Sequence, residues 1–143
     1  MLKGILFSLL AGIFITLQGI FNTNVSSKAG FWLTTTIVHA IGLIGSVIIY
    51  LIVRDGSIKN LQEVNKVYLL GGLFGVIIVF SVMQGIAHVG PAFSVSILLI
   101  TQLVIALMIN TLGLFGIEPV ALSLNKIIGV LVMVGGVFIF QFK

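Results

Sequence analysis

The sequence predicts an all-α integral membrane protein with five transmembrane helices. Of its 143 residues, 59% are hydrophobic and only 7% are charged, whereas a soluble domain carries about 25% charged residues. The mean hydropathy is +1.34. Five apolar runs each approach the roughly 20 residues that cross a bilayer as a helix. These observations exclude a soluble enzyme, a disordered tail and a DNA-binding domain. The continuous runs also exclude an outer-membrane barrel, whose strands alternate in polarity.

The five apolar runs define the predicted spans and together form one predicted domain, residues 1–143. Their approximate bounds are residues 2–21, 31–53, 67–88, 91–115 and 126–140. No small-x-small cleavage site follows the first run, so we expect it to remain as a helix rather than to be a cleaved signal peptide.

Turn-forming residues separate the runs. Residues 22–30 are polar and end in glycine, and residues 54–66 form the longest predicted loop, with two of the three acidic residues. Gly90-Pro91 predicts a tight turn, since proline is well placed at the first position of a new helix. Residues 116–125 hold the third acidic residue.

The basic residues predict the orientation of the chain. They are scattered between apolar runs rather than clustered, so no nucleic-acid partner is expected. Five spans place the two termini on opposite sides of the membrane. The N-terminal side collects Lys3, Arg54, Lys59, Lys66 and Lys126, and the other side has Lys28 and Lys143. The positive-inside rule therefore predicts a bacterial or archaeal cytoplasmic (inner) membrane protein with its N-terminus inside, or one inserted in both orientations.

Neutral polar side chains are the candidate functional groups, because no Asp or Glu lies within a span. The candidate pathway residues are Gln18, Asn22, His39, Gln84, Gln102 and Asn110. A rise of 1.5 Å per residue places Gln102 near the midplane. Gln18, His39 and Gln84 then lie roughly 5–10 Å from it, toward the predicted outer face. One hypothesis is that these four line a hydrated vestibule. The alternative is that each amide bonds a neighbouring helix.

His39 has two interpretations of its own. It is a candidate proton-sensitive group, since histidine titrates near neutral pH. Equally, a neutral ring bonded to Thr35 or Thr36, one turn earlier, would be purely structural. No catalytic constellation, metal-ligand cluster or cofactor motif is present, and there is no cysteine. We therefore expect neither an enzyme nor a metal or cofactor.

Glycines at helical spacing predict close helix packing. Gly71 and Gly75 form a small-x-x-x-small motif in the third span. Gly129 and Gly136 are seven residues apart and share one face of the fifth span, which makes that span a candidate subunit interface.

Several segments resemble the YdcZ-type proteins, a five-helix branch of the drug/metabolite transporter superfamily. The resemblance extends over nearly the whole chain. It rests on Leu17-Gln-Gly-Ile-Phe-Asn22, Gly90-Pro-Ala-Phe-Ser, Thr101-Gln102, Asn110-Thr-Leu-Gly-Leu-Phe-Gly116, Asn125-Lys-Ile-Ile-Gly129 and Gly135-Gly136. The chain departs from the family at two positions: Asn110 stands where many relatives carry aspartate, and His39 where phenylalanine is usual.

The resemblance implies half of a ten-helix inverted-repeat transporter. An unfused half would pair with a partner of opposite orientation, either a second copy or a paralogue, and would hold its substrate at the repeat interface. The leading hypothesis is thus a secondary transporter or exporter of a small organic solute, acting as an antiparallel dimer by alternating access. The alternatives are a passive channel of dual topology and a non-transporting structural subunit.

Overall fold

The computed structural model describes residues 1–142 and confirms five helices, each long and apolar enough to cross a membrane. Lys143, which contributes to the predicted charge balance, lies outside the described residues. The regular structure of residues 1–142 is helical throughout. The helices are α1 (Leu2–Ala29), α2 (Phe31–Val53), α3 (Gly71–Val89), α4 (Pro91–Leu112) and α5 (Leu124–Gln141).

The prediction of a loop over residues 22–30 is wrong, because α1 continues through it to Ala29. Nothing in this segment breaks a helix before Gly30, whose φ of 85° and ψ of 155° are open only to glycine. The hydroxyl of Ser26 bonds the carbonyl of Thr23 within the helix. The extension to 28 residues places Gln18 about 4 Å from the middle of α1, nearer than the predicted span implies.

The other connections agree with the predicted turns, with small shifts of their bounds. Gly90 alone separates α3 from α4, and Pro91 is the first residue of α4. That helix ends at Leu112 rather than at residue 115, because Gly113 takes a left-handed conformation with φ of 64°. The long loop after α2 contains two short 3-10 helices, Ile58–Glu63 and Lys66–Leu70.

The chain divides into two compact units, residues 1–88 and 89–143. In the first unit α1 packs against α2, and α3 contacts both helices through side chains. An added Cβ at Gly19 of α1 would lie 2.8 Å from Ile86 Cδ1 of α3 and 3.0 Å from Val82 Cγ1. Gly19 is therefore the closest approach of α3 to α1 among the described glycines.

Aromatic rings join α3 to the start of α2. Phe80 stacks on Trp32, with ring centroids 4.3 Å apart and planes at 17°. The same ring meets Phe31 edge-to-face at 6.1 Å. Offset and T-shaped arrangements of this kind are the favoured geometries of aromatic pairs.

The second unit consists of α4, the following loop and α5, with α4 packed against α5. The loop folds back on the end of α4, where the Val120 amide donates to the Asn110 carbonyl at 2.9 Å. This bond partners one of the last carbonyls of α4, which the helix itself leaves unpaired. Apolar side chains cover most of both helices and remain exposed, as lipid contact allows.

Replacing Gly19 by valine is expected to destabilise the first unit by about 1–3 kcal/mol, the range for overpacking a close contact. The added methyl groups would have to displace Ile86 and Val82. The matched control is Gly12→Val on the same helix, where no atom lies within 4 Å of an added Cβ. Reversible unfolding in detergent measures both variants. Equal destabilisation by the two would show that helix propensity, rather than the α1–α3 contact, is responsible.

Candidate polar site

Four of the most buried side chains in the first unit are polar. Asn22 and Ser26 of α1 are 7% and 5% exposed, and Thr34 and Thr35 at the start of α2 are 1% and 3% exposed. Gly19, Asn22 and Ser26 follow the i, i+3, i+7 pattern of one helix face. Polar side chains thus share the interior of this unit with Met83 and Ile86 of α3, while most other apolar side chains face outward.

The hydroxyl groups of this interior are bonded to their own helices. Thr34 Oγ1 donates to the Gly30 carbonyl at 2.8 Å, and Thr35 Oγ1 donates to the Phe31 carbonyl at 2.9 Å. On α1, Thr23 Oγ1 donates to the Gly19 carbonyl at 2.8 Å. Such bonds to the preceding turn let a hydroxyl enter an apolar environment without an unpaired donor.

His39 is held by the same kind of bond. Its Nδ1 lies 2.8 Å from the Thr35 carbonyl oxygen, one turn earlier. A carbonyl oxygen only accepts, so Nδ1 carries the hydrogen, and in the neutral ring Nε2 has a free lone pair. The ring is half-buried, and its Nε2 lies 3.3 Å from the position of an added Cβ on Gly75 of α3. His39 therefore reaches across from α2 to α3, where glycine leaves it space.

The five candidate carboxamides contrast with the hydroxyls, because none of them makes a side-chain hydrogen bond to a described residue of its own unit. Asn22 is the most buried of them. Every fully enclosed polar side-chain atom in the described residues has a partner, so the unbonded Asn22 amide must reach the surface of the unit. The members of this carboxamide set are Gln18, Asn22, Gln84, Gln102 and Asn110.

The remaining candidate residues are placed as follows. In the first unit Gln18 is exposed and Gln84 is half-buried; in the second unit Gln102 is exposed and Asn110 is half-buried. Gln102 lies within one residue of the middle of α4. The vestibule shared by Gln18, His39, Gln84 and Gln102 stays a prediction, since it joins residues of both units.

The second unit contains two apolar cavities of about 350 Å³, and Gln102 lines neither. Both lie between α4 and α5. Residues such as Leu107 and Leu131 line the first, and Ile100 and Phe138 line the second. Each offers shape and apolar contact but few groups that would orient a polar ligand.

The four glycines selected from the sequence differ in their surroundings. Gly75 lies against His39, as described above, whereas no atom lies within 4 Å of an added Cβ at Gly71, Gly129 or Gly136. Sequence reasoning did not select Gly19, which makes the closest approach. The signal was present, because Gly19 precedes Asn22 by three residues and Ser26 by seven, on one face of α1.

Sequence reasoning also passed over Thr34 and Thr35 as buried groups. In residues 1–142 no group of three or more His, Cys, Asp or Glu side chains is placed to hold a metal ion. The candidate pathway residues are five carboxamides and one imidazole, and the hydroxyls of the buried threonines lie beside them. Such groups can bind and orient a small solute, and the imidazole can also take up a proton.

Comparison with known proteins gives one match. The family model described as "Putative inner membrane exporter, YdcZ" matches residues 4–139 of the chain. No curated protein and no solved structure matches.

The hydrogen bond to Thr35 predicts the tautomer of His39. Neutral His39 is expected to carry its hydrogen on Nδ1, the opposite of the form that free imidazole side chains favour in water. The His88→Gln variant leaves His39 as the sole histidine, so the ¹⁵N chemical shifts of its ring report this tautomer directly at about pH 8. A hydrogen on Nε2 would contradict the described bond.

Proposed function

Because the chain belongs to the YdcZ family of inner membrane exporters, we propose that it exports a small organic solute as an antiparallel dimer, by alternating access. Five helices that can each cross a membrane support a multi-pass membrane protein. The observation that carries the finer proposal is the set of carboxamides without side-chain partners in their own units.

These carboxamides favour a particular class of solute. Each offers two N–H donors and one carbonyl acceptor, and none carries a formal charge. An unbonded amide in an apolar environment gains most from a ligand that supplies hydrogen bonds, since leaving it unpaired is costly. The proposed substrate is therefore neutral or zwitterionic, and Gln18, Asn22, His39, Gln84, Gln102 and Asn110 line its path.

The odd number of helices supports the antiparallel dimer. Two copies inserted in opposite orientations reproduce the inverted repeats of larger transporters, in which the substrate site lies near the bilayer midplane. Gln102 at the middle of α4 fits that depth. Gly129 and Gly136 on α5 have no described neighbour within 4 Å of an added Cβ, which leaves this face free for a partner.

Replacing Gln102 by leucine is expected to lower the rate of solute counterflow in proteoliposomes by about two- to tenfold, the equivalent of one lost hydrogen bond. The solute used in this assay is first identified by screening a panel of radiolabelled neutral and zwitterionic compounds for counterflow by the wild-type protein. The matched control is Thr101→Val, because the Thr101 hydroxyl already bonds the Ile97 carbonyl at 2.9 Å. That variant should transport as the wild type does.

The same assay separates the alternatives. Saturable counterflow indicates a carrier, whereas flux that rises linearly with concentration indicates a channel. If the wild type transports no solute of the panel, and Gln102→Leu and His39→Leu leave its stability unchanged, the protein is a non-transporting structural subunit.

Labelling of single cysteines tests the antiparallel arrangement. The chain has no cysteine of its own, and Ser27 and Ser57 are both exposed, one near each end of α2. In intact cells a membrane-impermeant maleimide is expected to label each single variant, Ser27→Cys and Ser57→Cys, in about half of the molecules. Labelling at residue 27 alone would fix the N-terminus inside and would rule out an antiparallel homodimer.

A further inference from the structure

His39 is the one titratable side chain that lies well inside a predicted span. It follows the first residue of α2 by eight positions, or about 12 Å along the helix. The three acidic residues of the chain, Asp55, Glu63 and Glu118, all lie outside the five membrane-spanning helices. Any proton taken up well inside the membrane-spanning helices, away from their ends, would therefore bind at this imidazole rather than at a carboxylate.

The two ring nitrogens of His39 have different surroundings. Nδ1 donates to the Thr35 carbonyl, and this bond is available to the neutral and the protonated ring alike. Nε2 points toward α3, where the absence of a side chain at Gly75 allows the ring to approach. Protonation thus changes only Nε2, the ring nitrogen at the α2–α3 contact. Its lone pair is replaced by an N–H, and the ring becomes positively charged.

No charged side chain of α1, α2 or α3 is placed to compensate that charge. The titratable side chains of α1 are Lys3 and Lys28, near its two ends, and α3 carries only His88 at its C-terminal end. Tyr50 lies eleven residues further along α2. An unpaired charge is strongly disfavoured in an apolar environment, and access of water to it makes it less so. Protonation of Nε2 therefore favours separation of α3 from α2.

We propose that His39 is the proton-binding site of the export cycle and that a proton at Nε2 opens the contact between α2 and α3. This inference rests on the function proposed above, since it supplies the coupling ion of that exporter. Proton release at Nε2 restores the closed contact, in which the ring lies over Gly75. Opening and closing would thus follow the protonation state of one side chain.

The chain contains its own reporter of this contact. Trp32 is its only tryptophan, and it stacks on Phe80 of α3 about two helical turns from His39. Separation of α3 from α2 would remove the phenyl ring from the indole. The emission maximum of Trp32 and its quenching by acrylamide are therefore expected to change when the protein is acidified and His39 takes up a proton.

His88 provides a matched control. Its Nδ1 makes the same bond one turn back, to the Gln84 carbonyl at 2.8 Å, but the residue is exposed and lies at the end of α3. In purified protein in nanodiscs, we expect the pH-dependent change in Trp32 emission to persist in His88→Gln and to be lost in His39→Gln. A change that persists in His39→Gln, or that disappears in His88→Gln, overturns the proposal.

A second measurement does not require the His39→Gln variant to fold. In the His88→Gln protein, NMR of the single remaining imidazole gives the midpoint of His39 protonation, which should coincide with the midpoint of the Trp32 change. Titration of the ring without a Trp32 response, or a Trp32 response without titration of the ring, overturns the proposal. Both measurements use protons alone, so a failure of solute counterflow in the wild type would reject the exporter function separately.

Discussion

Inside a bilayer, each polar group needs a partner that water does not supply, and this constraint shapes the whole chain. Backbone groups meet it by forming helices. The buried threonines and Ser26 meet it by bonding carbonyls of the preceding turn, so these side chains enter the interior of the first unit without needing a hydrogen bond to another helix. Their burial leaves the lipid-facing surface to apolar residues, which make up 59% of the sequence.

The carboxamides cannot be accommodated in this way, because none of the five bonds back to its own helix. The polar side chains of the candidate site therefore fall into two kinds. The hydroxyls complete their hydrogen bonding within one helix, whereas the amides need a hydrogen-bond partner outside their own helix. His39 combines both properties in one ring. Its Nδ1 is satisfied locally, as a threonine hydroxyl is, and its Nε2 is directed at a neighbouring helix.

Much of the architecture could be predicted from the sequence, because span length and hydropathy act over many residues at once. The number of helices and the glycine-proline break before α4 follow from such signals. The end of α1 could not be found from polarity, since residues 22–29 look like a loop until their hydroxyl-to-carbonyl bonds and the burial of Asn22 are considered. Polar residues predict a loop reliably only where water is the available hydrogen-bond partner of their side chains.

The candidate site was harder to predict than the fold, because it depends on pairs of helices. The sequence offered the bond from His39 to Thr35 as one of two possibilities, since both residues lie on the same helix one turn apart. The contacts of His39 with Gly75 and of Gly19 with Ile86 depend on where α3 lies relative to α1 and α2. The sequence pattern of a single helix does not predict that position.

The single residue between α1 and α2 has a consequence for biogenesis. One glycine, with a backbone that no other residue adopts readily, is too short a link for one helix to settle in the membrane before the next. The two helices must enter as a pair, with Lys28 at the end of the pair opposite Lys3 and Arg54. The orientation of the inserted pair then depends on the balance between Lys28 on one side of the membrane and the two basic residues on the other side, Lys3 and Arg54.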